Sequence, residues 1–262
     1  MSILKVNGLN ISYGDRETVR DFSLELAKGK IVSLVGESGS GKTTVIRSIF
    51  GLLPSNGRVT SGSIDFEGES LLDYDEDQWR QLRGSRISMI FQDSGSMMNP
   101  TKKVGSAFVE YIRTHEEIGK EKAFEKAVEM LERMRLPSGE NIMRSYPFQL
   151  SGGMKQRVGI AMGMTYQPDL LLADEPTSAL DVTTQAQIVR QMMELREEYG
   201  TSIIMVTHNL GVAAYMSDHI VVMKDGNIED QGDREHILLH SRNPYTRSLL
   251  EAVPSLGGER FV

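Results

Sequence analysis

A glycine-rich loop followed by a lysine carries the clearest chemistry in the sequence. An apolar run over residues 31–35 ends at a glycine, and the residues after it match G-x-x-x-x-G-K-[ST]. Glycines let backbone N–H groups turn toward an anion, and the helix predicted to begin near Gly41 adds the positive end of its dipole. The pattern predicts a nucleoside triphosphate site with Mg²⁺, formed by Gly36, Ser38, Gly39, Ser40, Gly41, Lys42, Thr43 and Thr44.

In this pattern each of two side chains has its own task. Lys42 would reach the β- and γ-phosphates, and Thr43 would offer its hydroxyl to Mg²⁺. The alternative interpretation, without a ligand, is a flexible turn of glycine and serine residues. The strand, loop and helix setting and the number of matching positions favour the phosphate site.

A second apolar run ends in two adjacent carboxylates. Residues 170–173 are apolar and lead into Asp174 and Glu175, and a parallel strand delivers its carboxyl end to the ligand edge of an α/β sheet. Asp174 suits Mg²⁺ held beside Thr43, and Glu175 suits the polarisation of an attacking water. Two acids after a strand are by themselves most often a solvated strand end, so this interpretation depends on the phosphate loop.

A serine and two glycines open a later helix and form a second candidate anion site. Ser151 is placed to cap the helix, and Gly152 and Gly153 expose backbone N–H groups at its positive end. One subunit needs one phosphate cradle per nucleotide, so we predict that this element completes the nucleotide pocket of a partner subunit. The alternative is a plain helix N-terminus, which would not need the glycine pair.

The elements that position these residues alternate between strands and helices. Residues 2–30 alternate as two antiparallel strands, with Tyr13 in the turn between them. Strands and helices that alternate in this way predict a parallel sheet covered on both faces. The further strands are predicted at 31–36, 61–66, 86–91, 170–173, 203–206 and 220–223, the helices at 42–52 and 182–198, and a hairpin at Gly226.

The predicted organisation is one α/β domain with a helical insertion. A chain of 262 residues suits one large domain, and helical spacing dominates between about residues 104 and 146. We predict a nucleotide-binding core over 1–92 and 166–231 that includes an N-terminal antiparallel β part. A helical subdomain is predicted over 93–165 and a helical C-terminal tail over 232–262.

Composition narrows the classes of partner. The net charge is −7 without a basic run, which argues against nucleic acid as the primary ligand. The absence of cysteine excludes disulfides, thiolate zinc sites and cysteine-ligated iron–sulfur clusters. No apolar run approaches the roughly 20 residues that cross a bilayer. Any membrane role is therefore expected to come through a partner.

Taken in order, the motifs resemble those of ABC-transporter ATPase subunits. The phosphate loop, Gln92, residues 150–153, the two carboxylates, residues 178–181 and His208 follow the order and spacing of that family. The resemblance covers essentially the whole chain. It implies a P-loop ABC ATPase core with a parallel-rich sheet, working as a head-to-tail dimer with two ATP molecules sandwiched between the subunits.

The same resemblance implies roles for individual residues. Tyr13 matches the aromatic residue that stacks on adenine, a contact that reads ring shape. Gln92 matches the residue that contacts Mg²⁺ and links the site to the helical insertion. His208 matches the switch histidine near the γ-phosphate, and Asp181 the residue that joins the two sites across the dimer. The implied catalytic residues are Glu175, His208 and Gln92, and the implied metal ligands are Thr43, Gln92 and Asp174.

Two stretches are similar to the oligopeptide, dipeptide and nickel importer branch: residues 146–150 and residues 243–254. The branch implies an importer of peptides, nickel or metal chelates, with two transmembrane permease subunits and a second ABC ATPase. It favours a heterodimer over a homodimer. It also implies an extracytoplasmic substrate-binding protein that acts indirectly, no nucleic acid, and a peripheral position on the cytoplasmic face of the membrane.

One segment departs from the pattern of the branch. After Gln92 the branch commonly has a proline at the position of Ser94, and the loss of that proline is expected to loosen the segment that couples the site to the membrane partner. Two alternative functions stay open at this point. One is an ABC ATPase that acts outside transport, and the other is a non-catalytic nucleotide-binding partner in an asymmetric pair.

Overall fold

The strands and helices follow the apolar patterns of the sequence along most of the chain. The computed structural model describes residues 1–95, 97–178 and 180–252, and the backbone of residues 255–256 and 259–260. Its strands are β1 (Ser2–Tyr13), β2 (Arg16–Ala27), β3 (Ile31–Val35), β4 (Gly57–Phe66), β5 (Glu69–Ser70), β6 (Ile87–Ile90), β7 (Leu170–Asp174), β8 (Ser202–Thr207), β9 (His219–Lys224), β10 (Asn227–Gly232), β11 (Ser255–Leu256) and β12 (Glu259–Arg260). Its α-helices are α1 (Lys42–Ile49), α2 (Glu76–Leu82), α3 (Val104–His115), α4 (Lys120–Arg133), α5 (Gly139–Arg144), α6 (Gly152–Met164), α7 (Val182–Tyr199), α8 (Leu210–Met216) and α9 (Pro244–Glu251). Short 3-10 turns cover Leu71–Asp73 and Pro147–Gln149, and a π-helical turn covers His236–His240.

The central sheet has the strand order β10-β9-β3-β8-β7-β6. Its strands are parallel from β9 to β6, and β10 joins the edge antiparallel to β9. Every residue of β3, β7 and β8 is buried, which explains why these strands read as continuous apolar runs. The carboxyl ends of β3, β7 and β8 therefore meet at one edge of the sheet.

A second, antiparallel sheet with the order β2-β1-β4-β5 covers one face of the central sheet. Alternate side chains of β1 enter a shared core with α1, in which Val45, Ile46 and Ile49 are fully buried. Tyr13 is the last residue of β1 and pairs with Arg16. The prediction that it lies in the turn is therefore wrong by one residue.

The opposite face of the central sheet packs against helices. Phe108, Ile112 and Leu131 of α3 and α4 are fully buried in one cluster with Ile90 and Leu171 of the sheet. Between residues 93 and 165 the described residues form α3 to α6 and no strand. The boundaries proposed for this helical segment stay a prediction. Among the described residues, no helix has both the length and the apolar character needed to cross a bilayer.

Two short helices were not predicted. The α2 helix begins with a capping box, in which Asp75 accepts hydrogen bonds from the first turn and Gln78 bonds back to the cap. The α8 helix is capped by Asn209, whose side chain accepts from two backbone N–H groups. Each helix has seven residues, too few for helical periodicity to stand out. The α1 helix, predicted to reach residue 52, ends at Ile49.

The C-terminal tail is only partly helical. The π-helical turn and α9 agree with the prediction, but β11 and β12 pair as an antiparallel hairpin. The prediction of a helical tail to residue 262 is wrong for these four residues. Some residues of the predicted motifs lie outside the described residues, namely Ser96, Ala179, Val253 and Pro254.

Candidate nucleotide site

The phosphate loop connects β3 to α1, and its lysine folds back over it. Lys42 Nζ donates hydrogen bonds to the carbonyl oxygens of Gly36 (2.8 Å) and Glu37 (2.6 Å). It also donates to Ser40 Oγ at 3.1 Å. Burial lowers the pKa of this lysine, and the nearby carboxylates oppose the shift. The ammonium is therefore held at the loop by neutral oxygen atoms, which the oxygens of a phosphate chain would outcompete by charge.

Two glycines allow the loop to take this path. Gly41 precedes α1 with φ +102°, a conformation that L side chains rarely adopt. A Cβ on Gly36 would lie 2.1 Å from the carbonyl oxygen of Met223 on β9. The N–H of Gly226 donates to the carbonyl oxygen of Ser40 at 3.2 Å. The loop is thus packed against β9 and the turn that follows it.

The threonine after the lysine contacts the first carboxylate. Thr43 Oγ1 donates to Asp174 Oδ1 at 2.9 Å, which joins the start of α1 to the end of β7. Asp174 is only 4% exposed. Burial raises its pKa, and the hydrogen bond from Thr43 and the charge of Arg47 act in the opposite direction. The structure therefore brings together two of the three residues that the sequence assigned to a metal.

The second carboxylate lies at the centre of a polar cluster. Glu175 Oε2 accepts a hydrogen bond from Gln92 Nε2 at 3.4 Å and lies 3.2 Å from His208 Nδ1. The Glu175 backbone has φ +43°, and its N–H donates to the carbonyl oxygen of Val206. A positive φ costs about 1 kcal/mol or more for a glutamate. This bond to the neighbouring strand β8 holds the backbone of Glu175 in this conformation. The three predicted catalytic residues meet here.

These groups line one cleft of about 400 Å³. Its lining residues are Thr18, Ser38, Gly39, Gly41, Lys42, Thr43, Thr44, Gln92, Glu175 and His208. Sequence reasoning missed Thr18, because it lies on β2 and no local motif marks it. Tyr13 is not among the lining residues; its hydroxyl lies 3.4 Å from Thr44 Oγ1, at the side of the cleft. Gly36 and Ser40 belong to the same loop but are buried and do not line the cleft.

The serine and glycine pair predicted as a second anion site opens α6, away from this cleft. Ser151 Oγ accepts from the N–H of Met154 at 3.3 Å, as a helix cap does. A second cleft of about 340 Å³ lies here. Its lining residues are Ser151, Gly152, Gly153, Met154, Arg157, Leu180, Asp181 and Thr184, and none of them lines the first cleft.

Asp181 belongs to the second cleft. It caps α7 by accepting from the N–H (3.0 Å) and the hydroxyl (2.7 Å) of Thr184, and these hydrogen bonds lower the pKa of its carboxyl group. A Cβ on Gly153 would lie 2.7 Å from Thr184 Cγ2, so α6 and α7 approach closely at this point. Within one chain, the structure places Asp181 beside residues 151–153 and not beside the phosphate loop.

The sheet edge and the cleft define a P-loop nucleoside triphosphatase with an inserted helical segment. A family model described as ABC transporter matches residues 19–178, and the chain belongs to the ABC transporter family. As a member of that family it binds and hydrolyses ATP. The predicted family and the predicted ATPase activity are both confirmed.

Almost the whole length of this chain is similar to ATP-binding proteins of peptide transport. It is 42% identical to the oligopeptide transport ATP-binding protein OppD of Salmonella typhimurium, over 98% of this chain and 78% of that protein. It is 43% identical to OppD of Bacillus subtilis, over 97% of this chain and 72% of that protein. The dipeptide transport ATP-binding protein DppD of Lactococcus lactis is 39% identical, over 97% of this chain and 74% of that protein. These relatives confirm the predicted importer branch as far as its oligopeptide and dipeptide members are concerned.

Solved structures confirm the fold class. The ATP-binding cassette MJ0796, solved as a dimer bound to ADP and Pi, aligns with a TM-score of 0.78 and 29% identity, covering 88% of this chain and 98% of that one. The cbiO1 protein of Clostridium perfringens, part of the complex cbiONQ, aligns with a TM-score of 0.79 and 27% identity, covering 91% of each chain.

Proposed function

We propose that this chain is the ATP-hydrolysing motor subunit of a membrane importer for peptides. The observation that carries the motor part is the Glu175 carboxylate, which lies in the phosphate-loop cleft within reach of both Gln92 and His208. The names of the three relatives given above support the peptide part. We therefore propose peptides, and not nickel or metal chelates, as the cargo.

The catalytic step is proposed to use the cluster around Glu175. Its carboxylate accepts a proton from the water that attacks the γ-phosphate, while His208 keeps the carboxylate oriented through the 3.2 Å contact. The ammonium of Lys42 neutralises phosphate charge. Tyr13 is proposed to meet the adenine ring beside Thr44. The non-catalytic alternative would not need Lys42, Glu175 and His208 together in one cleft.

The residues at the end of β7 suit Mg²⁺. Asp174 is buried and has the hydroxyl of Thr43 as a partner, and Mg²⁺ prefers hard oxygen donors of this kind. We propose that Thr43, Asp174 and the side-chain oxygen of Gln92 hold the ion, directly or through water. A bound Mg²⁺ would offset the negative charge that develops on the phosphate oxygens during the reaction.

The two clefts of one chain are proposed to be halves of two composite sites. The second cleft presents the start of α6, Ser151 and Asp181, and Val182 beside it is 81% exposed. An apolar side chain with this exposure, next to a candidate anion site at a helix N-terminus, suits a surface that a partner subunit covers. We propose a head-to-tail dimer in which each phosphate-loop cleft meets the partner's second cleft. A second, different ATPase is preferred as the partner.

A groove between the core and the helical segment is the proposed contact with the permease subunits. It measures about 750 Å³ and starts beside Gln92, at Phe91 and Ser94. Met97 in its wall is 63% exposed, and Arg80 and Lys102 lie at its rim. A cytoplasmic segment of a permease with apolar side chains would fill the groove. The substrate-binding protein outside the membrane acts only through the permeases, and this chain stays peripheral on the cytoplasmic face.

The Met97→Glu variant tests the groove. A carboxylate on an apolar anchor position should reduce the permease recovered with the tagged chain about tenfold or more, because interface anchors carry most of the binding energy. ATP binding should stay within about twofold of wild type, since Met97 does not line the nucleotide cleft. The matched control is Leu239→Glu, at an apolar residue that is 72% exposed and outside the groove. Equal permease recovery by both variants would contradict the assignment of the groove.

Co-purification tests the transport function as a whole. We expect the tagged chain, solubilised from its native membrane with mild detergent, to bring down two multi-span proteins and a second ABC ATPase, identified by mass spectrometry. Peptide-stimulated ATP hydrolysis by the recovered complex would identify the cargo class. Recovery of ribosomal or DNA-repair proteins without a membrane protein would reject the importer while leaving the ATPase in place.

A further inference from the structure

The hydroxyl of Tyr245 reaches the phosphate loop from the C-terminal tail. Its oxygen accepts a hydrogen bond from the backbone N–H of Glu37 at 3.0 Å, across a sequence separation of 208 residues. Tyr245 is the second residue of α9. In sequence this stretch is similar to the importer branch, and no role in the nucleotide site follows from its local pattern.

The hydrogen bond falls on one particular peptide unit. The N–H of Glu37 and the carbonyl of Gly36 belong to the same planar peptide group, and in a trans peptide they point in opposite directions. The carbonyl oxygen of Gly36 accepts from Lys42 Nζ at 2.8 Å. Tyr245 and Lys42 therefore hold the two sides of one peptide plane. A rotation of that plane would break both contacts.

The tail is anchored so that Tyr245 is held in place. Thr246 is fully buried, and its hydroxyl donates to Asp230 Oδ2 on β10 at 3.0 Å. Asn243 caps α9 and donates to the carbonyl oxygen of Glu229 at 2.9 Å. The ammonium of Lys224 lies 4.8 Å from the centre of the Tyr245 ring, within the range of a cation–π contact. The tyrosine is thus fixed to β9 and β10 by contacts on several sides.

The same strands brace the phosphate loop at a second place. The turn between β9 and β10 donates the N–H of Gly226 to Ser40, and Met223 of β9 leaves no room for a side chain on Gly36. The loop is therefore supported along its length by the β9–β10 hairpin, and the tail extends that support to Glu37.

We propose that Tyr245 is a positioning residue for ATP: it orients the Gly36–Glu37 peptide and, through it, the Lys42 ammonium that binds phosphate. The inference rests on the proposed nucleotide chemistry of this loop. The C-terminal tail, which resembles that of the importer branch, would then contribute to ATP binding by this chain. The contact is made to a loop residue away from Glu175, so ATP affinity should depend on it and the chemical step should not.

The Tyr245→Phe variant removes the hydroxyl and keeps the ring. We expect the dissociation constant for ATP, measured by titration calorimetry on the full chain, to rise about fivefold to tenfold, the factor that corresponds to the net loss of one hydrogen bond. In the complex with its membrane partners, KM should rise by a similar factor and kcat should stay within about twofold. Amide hydrogen exchange should increase at residues 36–42.

Two further variants make the test specific. Tyr215→Phe makes the same chemical change at a tyrosine on α8 that is 59% exposed, and it should leave affinity and loop exchange as in wild type. Thr246→Val keeps the Tyr245 hydroxyl but removes the bond from α9 to Asp230. It should raise the dissociation constant in the same direction as Tyr245→Phe.

Three results would overturn the inference. The first is an affinity within twofold of wild type in Tyr245→Phe with unchanged exchange at the loop. The second is a fall in kcat at unchanged affinity, and the third is faster exchange throughout the chain, which would mean a general loss of stability. A wild-type chain that bound no ATP would instead reject the proposed function, and the inference with it.

Discussion

The Glu175→Gln variant is expected to bind ATP with an affinity close to wild type and to hydrolyse it about 10²–10⁴-fold more slowly, the range that a positioned general base contributes. The amide has nearly the shape of the carboxylate, so the cleft should keep its form. It cannot take the proton from water at neutral pH. Dimers that depend on bound ATP should therefore persist, because hydrolysis no longer opens them.

Single-turnover release of labelled phosphate measures the chemical step, and light scattering with ATP measures the dimer. Both experiments need the second ATPase if the physiological pair is a heterodimer. Glu117→Gln is the matched control, since Glu117 is an exposed glutamate between α3 and α4. Wild-type turnover in Glu175→Gln would mean that another group activates the water, and His208 would be the first candidate because it lies 3.2 Å from Glu175.

The Gly36→Ala variant is expected to weaken ATP binding strongly by a purely steric route. The new methyl group would lie 2.1 Å from the carbonyl oxygen of Met223 and 2.9 Å from Ser40 Oγ. Real Cβ atoms do not approach a backbone oxygen so closely, so the loop must move away from β9. That movement carries the Gly36 carbonyl oxygen away from Lys42. Overpacking of this kind costs about 1–3 kcal/mol, which corresponds to about 5- to 150-fold weaker binding.

A control substitution at a second glycine distinguishes the effect of a steric collision from that of backbone strain. Gly68 in the turn between β4 and β5 has φ +90°, and a Cβ there would have no atom within 4 Å. Gly68→Ala therefore introduces strain without a collision, far from the site. Calorimetric titration with ATP and thermal unfolding should be run on both variants. An ATP affinity within twofold of wild type in Gly36→Ala would show that β9 yields and does not brace the loop.

Several features of the site could be predicted because they are local in the sequence. The phosphate loop is a continuous stretch, and its lysine bonds to backbone carbonyl oxygens only five and six residues before it. The strand before Asp174 is buried on both faces, so its apolar run is visible without knowledge of its neighbours. The cap at Ser151 depends on residues within one helical turn.

Other features could not be predicted, for a physical reason in each case. The α2 helix is short and mostly polar, and Leu82, which is 5% exposed, is its one buried residue. The left-handed backbone of Glu175 is imposed by a hydrogen bond to the next strand. Thr18 enters the cleft because the antiparallel sheet lies over the central one.

By itself the sequence predicted which groups would handle phosphate, metal and water, since these tasks demand particular residue types at short spacings. It also determined the family, because the ordered motifs span the chain. The tertiary structure decided how those groups are held. The meeting of Glu175 with Gln92 and His208, the separation of the two clefts, and the contact of Tyr245 with Glu37 all join residues that are distant in sequence. Such contacts arise only when the sheet and the tail have packed, because no local pattern records which side chains will then become neighbours.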